Sequence, residues 1–520
     1  MSGTLDRRSF VKWVGAAGGS ALLVPGWGPT AEGAVRRRAT FADDPFTLGV
    51  ASGDPAADGF VLWTRLAPEP LEGGGMPPEL VEVRWEVAED ESFGAPVQKG
   101  TAIATPQLGH SVHVEVEGLK PDRWYFYRFT VGDAVSPVGR ARTFPEATAL
   151  PDRLKFAFAS CQHYEYGYFT AYQHMLKEDL DAVVHLGDYL YEYAAANNRV
   201  RAHRGREIES LEDYRNRHAL YKTDPDLQAM HAACPWLVTW DDHEFDNNYA
   251  AGISEEDGID PYRFLTRRAA SYQAYYEHMP LRRSSVPRGP DMQLYRKIPF
   301  GRLAEFFVLD TRQYRSDQPA GDGLKAPNPG ASDPAGTLLG KQQHGWLAEG
   351  LLTSTANWNV LAQQVMMAPV DRQPGEGERY SMDQWPGYES ERQGIADFLH
   401  ERQIPNPVVL TGDIHKNYAN DLPLDRRDGK SPVVAAEFVG TSISSGGNGE
   451  NLPRGGEELL AENPFVKFYN GERGYVRCEV TPDRWTTDYR TLEYVTQPGS
   501  PVATRASFVV ENGRPGLQPA

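Results

Sequence analysis

Between Phe46 and about Pro145 the chain alternates hydrophobic and polar positions in short runs: Phe60 to Leu66, Val81 to Val87, Ser111 to Val116 and Trp124 to Val131. Val112, Val114 and Val116 fall on one side of such a run, and His113, Glu115 and Glu117 on the other, which is the period of a strand with one wet face. The pattern predicts a small all-β sandwich over residues 44–147. After Glu146-Ala147-Thr148-Ala149 the rhythm changes to apolar strands separated by longer helical stretches. Predicted strands are 155–159, 182–186, 236–240, 303–309, 359–365, 408–410 and 433–439, and predicted helices are 169–178, 263–279, 341–352 and 389–403. Alternation of this kind implies a layered α/β region, placed at 151–511 with its last strands included.

Smaller signals refine this outline. Gly118-Leu119-Lys120-Pro121 followed by Tyr125 and Tyr127 resembles the tyrosine corner of immunoglobulin and fibronectin III-like domains. Residues 317–336 are rich in Gly, Pro and Asp without an apolar period and read as a surface excursion. The tail 512–520 reads as flexible.

Composition narrows the class. The chain of 520 residues has 53 basic and 71 acidic side chains, a formal charge of -18, which repels nucleic acid and anionic membranes on average. Apolar residues at 40% and aromatics at 11% exclude disorder and a polytopic membrane protein. Cys161, Cys234 and Cys478 are an odd number and too few for a disulfide framework, so at least one thiol is free or bound to something. Cys234 and Cys478 read as packed residues.

The first residues carry Asp6-Arg7-Arg8-Ser9-Phe10-Val11-Lys12 and then a Gly/Ala-rich apolar run shorter than the roughly 20 residues of a membrane span. Residues 1–34 thus read as a twin-arginine signal, which places the protein in the periplasm or outside the cell and makes the translocase a partner during export. That route carries folded proteins, so a metal can be loaded beforehand.

Four predicted strands end in polar clusters: Ser160-Cys161-Gln162, Gly187-Asp188-Tyr189-Leu190-Tyr191-Glu192, Asp241-Asp242-His243-Glu244 and Gly412-Asp413-Ile414-His415. Each alone has a plainer explanation as a core cysteine, a turn or a bonded loop. Together, along the C-terminal edge of one sheet region, they point to a metal site. Cys161, Tyr191 and His415 offer a thiolate, a phenolate and an imidazole, a set suited to a ferric ion. Asp188 is the natural bridge to a second position lined by Asp188, Asp242 and Asp413, whose oxygens suit calcium or magnesium. Arg312 follows another apolar strand and is a candidate clamp for a phosphate oxygen, the alternative being a salt bridge with Asp310 or a neighbour. Asn216 could donate an oxygen to a further cation, although a solvated helix face is the plainer reading. The run Gly446-Gly447-Asn448-Gly449 reads as a flexible turn.

These blocks resemble those of the PhoD-like alkaline phosphatases within the calcineurin-like metallophosphoesterases. Cys161, Asp242 and Asp413 depart from the wider superfamily and agree with the PhoD branch. The resemblance implies a four-layer metallophosphoesterase sandwich flanked by helices, preceded by the all-β domain, with Fe3+ and Ca2+ as cofactors. It also implies that His243 contacts the phosphate or assists the leaving oxygen, with Glu244 orienting its ring. The expected activity is hydrolysis of phosphate monoesters, and of diesters as an extension. Two alternatives stay open: a phosphodiesterase or phospholipase D-like enzyme acting on phospholipid or teichoic acid, and a non-catalytic module binding an envelope partner.

Overall fold

The computed structural model describes residues 41–520, so the predicted export segment lies outside the described residues. A sheet of 10 strands and another of 7 carry the architecture. In the first, Leu154–Ala159, Ala182–His185 and Trp236–Val238 run parallel. In the second, Ala304–Val308, Trp358–Ala362, Pro407–Thr411 and Val433–Val439 do the same. These segments are nearly all apolar because both of their faces are covered. Phe156, Phe158, Val184 and Leu186 of one sheet meet Phe306, Val360, Leu410 and Phe438 of the other, each worth about 1.5–3 kcal/mol by burial. Helices cover the outer faces, through Tyr172, Met230, Tyr272 and Tyr275 on one side and Leu347, Leu351, Ile395 and Leu399 on the other. The expected four layers are present.

The all-β region does not stand apart. Val81–Ala88, Gln98–Ala104 and Trp124–Val131 belong to a 5-stranded sheet of their own. Val50–Ala56, Gly59–Arg65 and Ser111–Val116 instead extend the large sheet through a parallel register of Gly53 with Trp236. Gly53 is required there by close approach, since a Cβ would meet the Pro280 carbonyl at 2.5 Å and that of Trp236 at 2.8 Å. Val112, Val114 and Val116 are buried between the two sheets as their period predicts. Their strand's opposite face is only partly wet, because the end of helix Pro261–His278 covers it: His113 stacks on Tyr276 with centroids 4.4 Å apart. The tyrosine corner is present, the Tyr125 hydroxyl accepting from Lys120 N at 3.1 Å and donating to its carbonyl at 3.4 Å.

One expectation fails. Residues 512–520 are not a flexible tail: Arg514–Pro519 pairs antiparallel with Val502–Glu511, and Leu517 N donates to Asp421 Oδ1 at 2.8 Å. Residues 317–336 are the surface excursion expected, mostly exposed, and are anchored by Leu324–Lys325 pairing Tyr380–Ser381 and by Gln318 Nε2 donating to Asp383 Oδ1 at 2.8 Å. Two further helices, Leu211–Lys222 and Pro225–Ala233, carry capping signals in the sequence: a reciprocal box between Ser210 and Asp213, and Asp224 before Pro225. Asn216, on the first of them, accepts from Gly73 N at 2.9 Å and is thereby a structural contact.

Candidate active site

The four polar blocks meet where the C-terminal ends of the parallel strands of both sheets converge. Strand-end geometry brings them together. Thr239 Oγ1 donates to the Leu309 carbonyl at 2.9 Å, and Gln364 Nε2 bonds both partners at 2.8 Å, which ties one sheet's edge to the other's. Cys161 N donates to the Gly187 carbonyl at 3.1 Å, fixing the first block on the second. Gly187, at φ 109°, lies so close to the third block that a Cβ would meet Asp241 Cβ at 2.5 Å. Cys161, Asp188, Asp413 and His415 all have left-handed φ values, at 58°, 53°, 64° and 56°. Non-glycine residues held there cost about 1–3 kcal/mol each, and such strain concentrates at functional sites.

The side chains form two overlapping groups that share Asp188. Ligand atoms of Cys161, Asp188 and His415 lie within 4.8 Å of one another, and so do those of Asp188, Asp242 and His243. The Tyr191 hydroxyl joins the first group, 2.8 Å from Asp188 Oδ2 and 3.1 Å from His415 Nε2. Asp413 sits at the edge, its Oδ2 accepting from Gln384 Nε2 at 2.9 Å. His243 is thus placed among the carboxylates, a position compatible with the expected contact to the phosphate or the leaving oxygen.

Burial sets the electrostatics. It pushes the Asp188 and Asp413 carboxyls well above their usual range, with help from neighbouring carboxylates. It also raises the Cys161 thiol and the Tyr191 phenol, and lowers the His415 imidazole to about 3. Asp242 goes the other way: burial would raise it, but Arg312 and His243 hold it below the carboxylate range. His243 is held well above its ordinary value despite burial, by Glu192, Asp242 and Asp188. Asp188 Oδ1, Asp242 Oδ1 and Asp241 Oδ2 are buried without a hydrogen-bond partner. Orphaned carboxylate oxygens beside a thiol, a phenol and an imidazole fit a pair of cations, which would reverse every one of the upward shifts.

Two sequence assignments need correction. Glu244 does not orient His243. Its Oε2 accepts from Asp188 N at 2.9 Å and Asp241 N at 2.8 Å, and its Oε1 from Tyr189 N at 2.5 Å, so it clamps two ligand-bearing loops together. Burial lifts that carboxyl to about 8. The orienting carboxylate is Glu192: Oε2 lies 2.8 Å from His243 Nδ1, and Oε1 accepts from Asn247 N at 3.0 Å. The sequence block contains Glu192, but a loop offers no period from which to read its direction. Arg312 is not a phosphate clamp facing a cleft. It is fully buried, with Nε donating to Asp241 Oδ1 at 2.5 Å, Nη1 to Asp383 Oδ1 at 2.7 Å and Nη2 3.6 Å from Asp242 Oδ1.

The sequence reading also gave no role to Ser445, whose Oγ donates to the Cys161 carbonyl at 2.7 Å and lies 2.8 Å from the Tyr191 hydroxyl. It likewise missed Arg473, whose Nη1 donates to the His415 carbonyl at 2.5 Å and Nε to that of Gly447 at 2.8 Å. The glycine run is therefore held, not loose. Cys234 and Cys478 are buried free thiols, as is Cys161.

With this geometry in hand, the comparisons agree. Residues 156–489 match the family model described as PhoD-like phosphatase, and residues 31–145 match PhoD-like phosphatase, N-terminal domain. The chain belongs to the PhoD-like phosphatase family. It is 52% identical over 520 residues to alkaline phosphatase D of Bacillus subtilis (strain 168), covering 99% of this chain and 89% of that protein. A solved structure described as that of PhoD superposes with a TM-score of 0.91 at 54% identity, covering 93% of each chain. The protein is an alkaline phosphatase of this family.

Membership makes the Glu192 contact testable. Glu192→Gln keeps an acceptor for Asn247 N but loses the charge behind His243. We expect kcat on p-nitrophenyl phosphate to fall about 10–100-fold with KM little changed. An unaltered kcat would remove Glu192 from the support of His243.

Proposed function

We propose that the protein is an exported, metal-dependent phosphatase of phosphate monoesters, with iron held by Cys161, Asp188, Tyr191 and His415 and calcium by Asp188, Asp242 and Asp413. The observation that carries this reading is the buried ligand set itself, with carboxylate oxygens of Asp188, Asp241 and Asp242 buried without a hydrogen bond. Bound there, the two cations would supply Lewis acidity toward the phosphoryl oxygens and the attacking water. The chain's own residues do the rest. His243, with Nδ1 paired to Glu192, has Nε2 left to give a proton to the departing oxygen. Arg312 balances Asp241, Asp242 and Asp383 from behind. Glu244 and Ser445 hold the loops in register. Arg7-Arg8 and the apolar run after them support export by the twin-arginine route.

Natively exported protein assayed on p-nitrophenyl phosphate and on its bis ester, with and without a calcium chelator, tests this. Chelator-sensitive release, at least as fast from the monoester, is expected. Faster release from the diester would make the enzyme a phosphodiesterase. No release from either, with both metals bound, would favour a binding module.

A further inference from the structure

We propose that the cavity behind the Tyr191-Glu192 segment is an oxyanion site for inorganic phosphate, built on the buried guanidinium of Arg217 and separate from the hydrolytic centre.

The cavity, of about 280 Å³, lies between the loop at 204–208, the helix Leu211–Lys222 and the loop at 71–72. A tetrahedral oxyanion with a few waters fits that space. Arg204, Arg206 and Arg217 line it, against two acids, Glu72 and Asp213. Both acids are engaged. Glu72 Oε1 pairs with Arg204 Nη1 at 3.1 Å on the rim, where both side chains are mostly exposed and the pair is easily exchanged. Asp213 closes the capping box of its helix, Oδ2 accepting from Ser210 N at 3.0 Å and from Glu209 N at 3.3 Å.

Arg217 is the unusual member of the set. It is only 3% exposed, yet among the described residues it forms no ion pair with a carboxylate. Its Nη1 donates to the Tyr191 carbonyl, and its Nη2 is buried with no partner at all. A charged donor left in that state is costly until an acceptor reaches it. By contrast, Arg215, two residues earlier on the same helix, holds Glu277, Arg267 holds Asp246, and Arg312 and Arg315 hold Asp383. Asn216 adds a second donor to the same cavity. Its Oδ1 accepts from Gly73 N at 2.9 Å, which leaves the Nδ2 edge of the amide free.

A net positive lining of free donors, in a chain of charge -18, selects an anion with several acceptor oxygens. Phosphate is the one that the enzyme's own reaction releases. The cavity also bears on the centre at two points. Arg217 grips the carbonyl of Tyr191, and Ile208, another lining residue, donates from its N to the Glu192 carbonyl at 3.1 Å. An anion held by Arg217 therefore braces from behind the segment that carries the Tyr191 phenol and the carboxylate partner of His243.

Metal-loaded enzyme titrated calorimetrically with inorganic phosphate tests this, with competitive inhibition of p-nitrophenyl phosphate hydrolysis reporting phosphate at the centre separately. The wild type should bind two phosphates per chain. In the Arg204→Gln, Arg206→Gln double variant, changed only at exposed positions, the second phosphate should bind about tenfold more weakly, while the inhibition constant stays as in wild type. Asn216→Asp keeps an acceptor for Gly73 N but exchanges the donor for a negative charge, and should weaken the second phosphate at least as much. A single phosphate per chain that competes with substrate overturns the site, and so does a second phosphate held equally by the wild type and both variants.

Discussion

Asp188→Asn should reduce hydrolysis of p-nitrophenyl phosphate by about a thousandfold or more, at least 4 kcal/mol of transition-state stabilisation, while the far-UV spectrum and the melting cooperativity of the fold remain. Asp188 is the one carboxylate common to both ligand groups. The asparagine amide keeps the volume and an acceptor for the Tyr191 hydroxyl, but it removes the charge around which both cations would be placed. The folded protein should tolerate the change without them, because burial already strains the Asp188 carboxylate. A variant retaining more than a tenth of wild-type turnover would show that the cluster is not the hydrolytic centre.

Arg312→Met should be the most destabilising single change near the site. Its guanidinium neutralises Asp241, Asp242 and Asp383 with no exposure to water. Methionine of similar length would leave Asp241 and Asp242 without that charge, while Arg315 still holds Asp383, at a cost of about 3–5 kcal/mol. The melting temperature should fall by a few degrees, and metal retention should fall with it. Arg312→Lys should recover only part of the loss, since one ammonium cannot satisfy three carboxylates held in a fork. The outcome separates two roles for this residue. A clamp on substrate phosphate would raise KM in the lysine variant and leave the melting temperature alone, whereas a buried counter-charge lowers stability first.

Much of this was legible in the sequence, for definable reasons. Apolar runs buried on both faces mark the parallel strands without ambiguity, so 155–159, 182–186 and 433–439 fall within a residue or so of the observed Leu154–Ala159, Ala182–His185 and Val433–Val439. Ligand types placed directly after such strands were readable because the sheet's edge collects them. What sequence hid were partners across long separations. Glu192 and His243 are 51 residues apart, and Arg312 and Asp241 are 71 apart. Arg312 looked like a substrate clamp because a strand end says where a side chain begins, not whether three acids already surround it. The closing strand Arg514–Pro519 was missed because Gly513, Pro515 and Gly516 read as a loop by composition, while pairing with Val502–Glu511 and the bond to Asp421 supply what propensity lacks. The excursion at 317–336 lies at the surface as expected, and the contacts that anchor it, to Asp383 and Tyr380, are far along the chain.

The most direct test is elemental analysis of the protein as its native host produces it, joined to its turnover of p-nitrophenyl phosphate before chelation, after it, and after metal is restored. The account predicts iron and calcium bound to the wild type, both diminished in Asp188→Asn, with turnover lost on chelation and regained on reconstitution. Full turnover by protein that carries neither metal would contradict it.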